Sequence, residues 1–149
     1  MKFLSLLTTF ILTIVVSSCD ETKKVIDVAG NVQLSGTYTI SNVGGQAIAA
    51  AGDKKVYISF AGLDKTIRGN TGCNSFFGNY SLDLYALSFS DVGQTEMYCD
   101  ESTMVIETKF MEALRNTGSY SIEEGVLTLY SKTDRSVLLT AKKDLNKEN

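Results

Sequence analysis

The sequence contains no histidine, no tryptophan and no proline among its 149 residues. Because histidine is missing, Ser-His-Asp triads, Cys-His dyads and nearly all catalytic zinc sites are excluded. A block of charge of one sign is missing too, since 14 basic and 17 acidic side chains are interspersed and give a formal net charge of −3. Neither a basic surface for nucleic acid nor a polyacidic tail is therefore expected. The length fits a single domain.

The first 18 residues have the pattern of an export signal. Lys2 provides a positive start, and Phe3 to Val16 form a 14-residue stretch interrupted by only four hydroxyl side chains. A membrane-spanning helix needs about 20 apolar residues, so this stretch has the length of a signal-peptide core instead. The run Val16-Ser17-Ser18-Cys19 resembles the lipobox of bacterial lipoproteins, in which the cysteine is acylated and becomes the first mature residue. The sequence thus predicts a lipoprotein signal peptide over residues 1–18 and lipidation of Cys19.

Two alternatives to this interpretation stay open: an ordinary secretory signal followed by an incidental cysteine, and an uncleaved N-terminal anchor. The lipoprotein interpretation places the protein in the bacterial cell envelope, held by its lipid, with the outer membrane favoured over the inner. Setting Cys19 aside leaves Cys73 and Cys99. In an oxidising compartment an even pair is more often bridged than free, so a disulfide between them is predicted.

The mature chain is expected to divide into a tether, one domain and a tail. Residues 19–33 have mixed charge and no periodicity, as is typical of a tether between a lipid and a domain. Residues 34–141 form the domain. Residues 142–149 are polar and are expected to fray.

Short segments of alternating polarity, separated by glycine-rich or polar turns, predict eight β-strands within the domain. The predicted strands are Thr37–Ser41, Lys55–Phe60, Thr66–Gly69, Phe77–Leu82, Ala86–Phe89, Ser119–Ile122, Val126–Tyr130 and Ser136–Thr140.

One helix is predicted from Asp100, a suitable N-cap, to about Arg115, with Gly118 ending it. Glu107 projects within the apolar stripe of this helix, and an isolated buried charge is costly. We expect it to have a partner, either Arg68 or a set of backbone N–H and tyrosine hydroxyl groups, and a structural network is favoured over a catalytic role. The stripe comprises Thr103, Ile106, Phe110, Ala113 and Leu114, flanked by Met104 and Met111.

Short strands with one amphipathic helix indicate an α+β fold or a helix-plugged barrel, in which a curved sheet packs around the helix. A denser signal resembles the META domain, a small domain shared by a bacterial heat-shock envelope protein and by secreted or lipidated relatives. The residues that carry the resemblance are Gly72, Cys73, Asn74, Gly78, Tyr80, Thr95, Met97 and Cys99.

The resemblance runs from about Leu34 to Ala141. It implies a curved antiparallel sheet that forms an incomplete barrel around one helix, in proteins of envelope, stress and virulence settings without an assigned catalytic activity. Two positions depart from the family pattern: Tyr38 stands where tryptophan is usual, and Glu96 where arginine is common. A role for that basic residue therefore does not transfer to this chain.

Each motif also has a structural interpretation, which we favour. A bulge or tight turn explains Gly72 and Gly78 better than a phosphate loop, since no helix follows them. Asn74 tolerates the left-handed conformation and can bond local backbone, which we favour over a ligand-binding amide. Core packing is favoured over a stacking platform for Phe76, Phe77 and Tyr80, and solvated turns over calcium sites for Asp100-Glu101 and Glu123-Glu124.

The predicted function is that of a non-enzymatic envelope lipoprotein in the setting of envelope stress, which binds a partner or ligand. It needs no metal and no cofactor, and its partners are the membrane, through the lipid anchor, and an unidentified envelope protein or apolar ligand. Two alternatives remain: a carrier that holds an apolar molecule or peptide segment in a half-open barrel, and a hydrolase without a recognisable motif.

Overall fold

The computed structural model of the chain describes residues 19–48 and 55–145. The predicted signal peptide, residues 49–54 and the last four residues of the predicted tail lie outside the described residues. Each of the eight predicted strands is present, and a two-residue strand is added. The elements in chain order are α1 (Cys19–Leu34), β1 (Gly36–Val43), β2 (Gln46–Ala47), β3 (Tyr57–Ala61), β4 (Thr66–Asn70), β5 (Ser75–Asp83), β6 (Ala86–Gln94), α2 (Glu101–Asn116), β7 (Thr117–Glu123), β8 (Val126–Ser131) and β9 (Val137–Lys143).

The strands form one antiparallel sheet that closes into an eight-stranded barrel, with β2 as an extra strand at the edge of β1. Closure occurs between the first and last strands, where Ile40 pairs with Ala141 and Val43 with Leu139. The prediction of an incomplete barrel is therefore wrong. The strand pairing with the fewest paired residues is that between β6 and β7, where Ala86 is paired with Ser119.

Antiparallel alternation gives the barrel two ends with different connections. At one end, which we call the α1 end, lie α1, the start of β1, the end of β9 and the turns at 62–65, 84–85 and 124–125. At the other, the α2 end, lie residues 71–74, the β6–β7 connection with α2, and the turn at 132–136. Each helix thus lies at one end of the barrel.

Helix α2 begins as predicted, at the N-cap Asp100, whose carboxylate accepts from the Thr103 N–H at 3.0 Å. Hydrogen bonds from Ser102 and then Thr103 hold the pKa of Asp100 well below its usual range. The predicted stop at Gly118 is wrong. The helix ends at an extended Thr117, whose hydroxyl donates to the Ala113 carbonyl at 2.7 Å. Gly118 lies within β7, where an added Cβ would meet the Lys132 Cα at 2.5 Å, so close strand packing explains the glycine.

The barrel interior is filled by side chains of the sheet and of α2. Phe110 is fully buried, and its ring centroid lies 5.0 Å from that of Phe76. Nearer the α1 end, Phe60 makes edge contacts with Tyr38 and Tyr80 at 5.9 and 5.4 Å. Burial, with a smaller effect of Tyr120, raises the pKa of Tyr38 to about 12. Phe110, Ala113 and Leu114 of the α2 stripe are therefore core as predicted, whereas Thr103 and Ile106 are only half-buried.

The segment predicted to be a tether without periodicity, residues 19–33, is helical. Helix α1 joins the domain through its last turn, where Leu34 is fully buried and the Asn31 carbonyl accepts from the Ser35 N–H at 3.0 Å. Its preceding residues Val25, Val28 and Val32 are exposed. The prediction of a single helix is thus corrected to two. Neither described helix has the length and apolar character needed to cross a bilayer.

The predicted polar tail begins inside the fold. Lys142 and Lys143 belong to β9. Asp144 then donates its N–H to the Thr37 carbonyl at 2.8 Å and accepts from the Thr39 hydroxyl at 2.8 Å. Fraying from residue 142 was therefore a wrong expectation, because pairing with β1 continues through Asp144.

Candidate functional site

Most of the family motif gathers at the α2 end, around the loop formed by residues 71–74. The Thr71 N–H donates to the Asn74 carbonyl at 2.9 Å, which closes the loop. Gly72 has a φ of +95°, a conformation that L side chains rarely adopt, so a glycine is required there. The left-handed conformation was predicted for Asn74, but the residue of the loop with a positive φ is Gly72. Asn74 directs its side chain across the barrel end.

The side chain of Asn74 is buried and uses its full hydrogen-bonding capacity. Its amide nitrogen donates to the Met97 carbonyl and to Glu107 Oε1, both at 3.0 Å. Its oxygen accepts from the Thr95 hydroxyl and the Met97 N–H, both at 2.7 Å. An amide offers two donors and two acceptor sites, and all four are occupied. Asn74 therefore acts as a bracket between α2 and the residues after β6.

Glu107 is 3% exposed and is held by neutral donors from the 71–74 loop and from the end of β6. Oε1 accepts from Asn74 and from the Gln94 amide at 3.3 Å, and Oε2 accepts from the Thr71 hydroxyl. The predicted partners were wrong, since Arg68 is exposed on β4 and the donors are two amides and a hydroxyl. The described part of the chain supplies no cation to this carboxylate, so hydrogen bonds stabilise it.

The predicted disulfide is present. It connects the loop of residues 71–74 to the segment that follows β6. Cys73 and Cys99 are bonded with a Cα–Cα distance of 5.9 Å. At its other end, the segment after β6 is fixed to β5 because the Thr95 N–H donates to the Ser75 carbonyl at 3.0 Å. Residues 95–99, which we call the clamped loop, are therefore held at both ends and at their middle residue.

The clamped loop presents apolar side chains to solvent. Met97 is 60% exposed and Tyr98 is 88% exposed, with Glu96 exposed beside them. Asn74 holds the loop through the Met97 backbone, so the side chain of Met97 is not used in holding it. The buried cluster therefore fixes the backbone of the clamped loop and leaves the side chains of Met97 and Tyr98 exposed to solvent.

Two motif residues lie outside this cluster. Gly78 is at the irregularity of the β5–β6 pairing, where an added Cβ would meet Val92 Cγ2 at 3.0 Å, in agreement with the predicted bulge. Tyr80 is buried against Phe60, and its hydroxyl has no hydrogen-bond partner among the described residues. Phe77 is exposed on β5. The aromatic residues of β5 therefore divide between core and surface and form no common stacking face.

Two members of the cluster were missed by sequence reasoning. Thr71 directly precedes the motif glycine, and Gln94 directly precedes the motif threonine. Their distance along the chain from Glu107, 36 and 13 residues, leaves no local periodicity to connect them. Adjacency to the motif was the one usable signal.

Neither acidic doublet takes part in the hydrogen bonds of this cluster. Asp100 caps α2, while Glu123 and Glu124 are exposed at the α1 end. Among the residues that the structure describes, no three His, Cys, Asp or Glu side chains are placed to hold a metal ion together.

Fold and site together define a small closed β-barrel with a helix assigned to each end, in which a disulfide and a buried polar cluster hold one surface loop. The chain belongs to the META domain family, which it matches over residues 31–144. The resemblance seen in the motif is thereby confirmed. No curated protein matches the chain.

Solved structures share the fold. An NMR structure of a protein from Burkholderia xenovorans has a TM-score of 0.62 at 22% identity and covers 79% of this chain and 88% of its own. A second NMR structure has a TM-score of 0.62 at 23% identity, with coverage of 76% and 93%. A crystal structure of a DUF4847 family protein from Bacteroides vulgatus ATCC 8482 has a TM-score of 0.54 at 18% identity, with coverage of 78% and 99%. At these identities the likeness concerns the fold alone.

Proposed function

We propose that this chain is a non-enzymatic lipoprotein of the bacterial cell envelope that binds a partner through the clamped loop. One observation carries the proposal: the side chains of the motif residues Asn74 and Thr95 bond each other, and Asn74 also bonds the loop backbone, while Met97 and Tyr98 stay exposed. The motif thus serves to present a surface. The setting we propose is envelope stress, by analogy with the settings of the family.

Burial of the carboxylate supports a role without catalysis. A general acid or base must reach the group with which it exchanges a proton. Both oxygens of Glu107 are occupied by donors of the protein itself, and the side chain is closed off from solvent. Its geometry therefore suits holding Asn74 and Thr71 in place.

The exposed side chains of the loop support a role in binding. Tyrosine and methionine are enriched at protein interfaces, where tyrosine contributes a large apolar area with little loss of rotamer freedom. A loop fixed before binding also loses less entropy when a partner arrives. Met97 and Tyr98 combine both properties because the disulfide and Asn74 already hold their backbone.

The filled interior argues against the alternative of an apolar carrier. The rings of Phe76, Phe110, Phe60 and Tyr80 contact one another or their neighbours where a ligand would have to lie. Binding on the outer surface needs no rearrangement of these side chains.

Lipid anchoring predicts that Cys19→Ser releases the protein from membranes in an unprocessed or soluble form. A single acyl chain anchors marginally, whereas two or more, each contributing about 0.8 kcal/mol per buried CH₂, hold a protein stably. Fractionation of cells and the mass of the N-terminus measure this. Membrane association and normal N-terminal processing that both survive the substitution would contradict the assignment.

Partner binding is tested by placing a photo-crosslinking aromatic amino acid at Tyr98 of the full chain in cells. We expect an adduct of discrete size at this position and none at Val137, which is also exposed at the α2 end. Adding Asn74→Ala should reduce the yield because it removes one of the two restraints on the loop, whereas Asn79→Ala, an exposed change on β5, should not. Equal adducts at Tyr98 and Val137, or a yield indifferent to Asn74→Ala, would reject the loop as the binding surface.

A further inference from the structure

We infer that the α1 end of the barrel docks on the phospholipid surface, so that the domain stands end-on on the membrane. This inference rests on the lipid anchor proposed at Cys19 and adds to it a contact surface built from the folded domain. The surface consists of the turn tips of the α1 end and the outer face of α1.

The turn tips of the α1 end carry large apolar side chains. In the β3–β4 turn Leu63 is 100% exposed, and in the β5–β6 turn Tyr85 is 76% exposed with Leu84 beside it. Val126, which follows the β7–β8 turn, and Leu145, which follows β9, are exposed at the same end. Tight turns normally contain glycine, asparagine, aspartate and serine. Repeated apolar tips at one end of the barrel therefore require an explanation outside its own stability.

Leu84 makes this point most strongly. Its φ is +58°, in the left-handed region that costs a branched side chain energy and that glycine or asparagine adopts readily. The neighbouring Asp83 and Tyr85 complete a turn for which a polar residue would be the cheaper choice. Leu84 therefore adds an exposed apolar side chain to the α1 end at a position where a polar residue is usual.

Helix α1 adds an apolar face at the same end. Val25, Val28 and Val32 are spaced three and four residues apart and so share one side of the helix, and all three are exposed. The side that meets the barrel is different: Asn31 and Leu34 are buried there. The outer face of α1 thus has nothing of the described domain against it.

The position of Cys19 identifies the bilayer as the occupant. Cys19 opens α1, and at 1.5 Å per residue the helix keeps a lipidated cysteine within about 22 Å of Leu34. The acyl chains would therefore hold the α1 end, and not the α2 end, beside the lipid. Aliphatic side chains and a tyrosine suit the interface between headgroups and acyl chains.

Charge at the α1 end is consistent with a contact driven by apolar groups. Its turns carry side chains of both signs, among them Asp64, Lys65, Glu123 and Glu124. A surface of this kind does not depend on anionic lipid, so uncharged phosphatidylcholine is an adequate probe. In this orientation the clamped loop at the α2 end faces away from the membrane, toward a partner.

The absence of tryptophan makes the test direct, since one introduced tryptophan reports alone. The full-length lipidated protein carrying Leu63→Trp or Tyr85→Trp is reconstituted into phosphatidylcholine vesicles with brominated or ordinary acyl chains. We expect about twofold quenching by brominated lipid for both variants, with a blue-shifted emission. Val137→Trp, at the α2 end, is the control and should be unquenched.

A second variant tests contact against mere proximity. Adding Leu63→Asp to the Tyr85→Trp protein should reduce the quenching by about half, because a carboxylate opposes insertion of the turns. Protein that floats with the vesicles but shows no quenching at positions 63 and 85, or quenching unaffected by Leu63→Asp, overturns the docking and leaves the anchor intact. Protein that does not float with the vesicles overturns the anchor and the docking together.

Discussion

Phe110→Ala is expected to lower the free energy of unfolding by about 3–5 kcal/mol, the usual cost of removing a buried aromatic side chain. Phe110 is fully buried, and its ring packs on Phe76 where α2 meets the barrel interior. The neighbouring Leu114 and Ala113 are on the same buried face, so the helix has little freedom to close the cavity. Urea or guanidinium denaturation, analysed with a common m-value, measures the loss.

The matched control for this change is Val105→Ala, on the exposed side of the same helix. It should alter the free energy of unfolding by no more than about 0.5 kcal/mol. Melts of the parent and of Phe110→Ala are repeated with envelope lipid extract. A small loss of stability on truncation, together with stabilisation of the parent by lipid, would restore the apolar-carrier alternative in place of a filled core.

Replacing both Cys73 and Cys99 by alanine is expected to destabilise the protein by about 3.5 kcal/mol on the chain-entropy account of disulfides. The two cysteines are 26 residues apart in the sequence. The unfolded chain regains conformational entropy when the bond between them is removed. Calorimetry of the oxidised parent and of the double variant measures the difference. Two free thiols in the parent protein isolated from cells would show that the bond does not form there.

The disulfide and Asn74 hold the same loop, so their removal should not be additive. Asn74→Ala alone frees the Met97 N–H and the Glu107 carboxylate from a shared partner, at a cost of about 1–3 kcal/mol. Residues that share a structural unit have coupling energies of about 0.5–3 kcal/mol in double-mutant cycles. Faster hydrogen exchange at Met97 should appear fully only when both restraints are gone, and additive losses would show that they act independently.

The helix α2 and the eight long strands could be predicted because their signals are local. Asp100 and the apolar stripe around Phe110 determine the start and the buried face of α2 within one segment. Alternation along Val126–Tyr130 or Phe77–Leu82 reports which face of a strand is buried. Such periodicities depend only on residues that are close in the sequence, so the sequence alone is sufficient to detect them.

Contacts between distant segments could not be obtained in this way. Glu107 was recognised as anomalous from its place in the stripe, but its donors Thr71 and Gln94 are fixed by strand register and helix placement. Helix α1 was missed because Val25, Val28 and Val32 face outward, and the buried residues among its described side chains, Asn31 and Leu34, lie in its last turn. Polarity therefore gave no buried stripe to detect. The closure of the barrel was not predicted for a related reason, since no local pattern in the sequence pairs Ile40 with Ala141.

The pairing of the first strand with the last sets the order in which the molecule can be made. β9 completes the sheet on both sides, against β1 and β8, so neither edge is satisfied before residues 137–143 have been synthesised. Contacts of such long sequence separation slow folding. The sheet of a nascent chain therefore remains open until its final strand has been synthesised. A chain truncated before β9 would keep two bare strand edges and be a substrate for proteolysis.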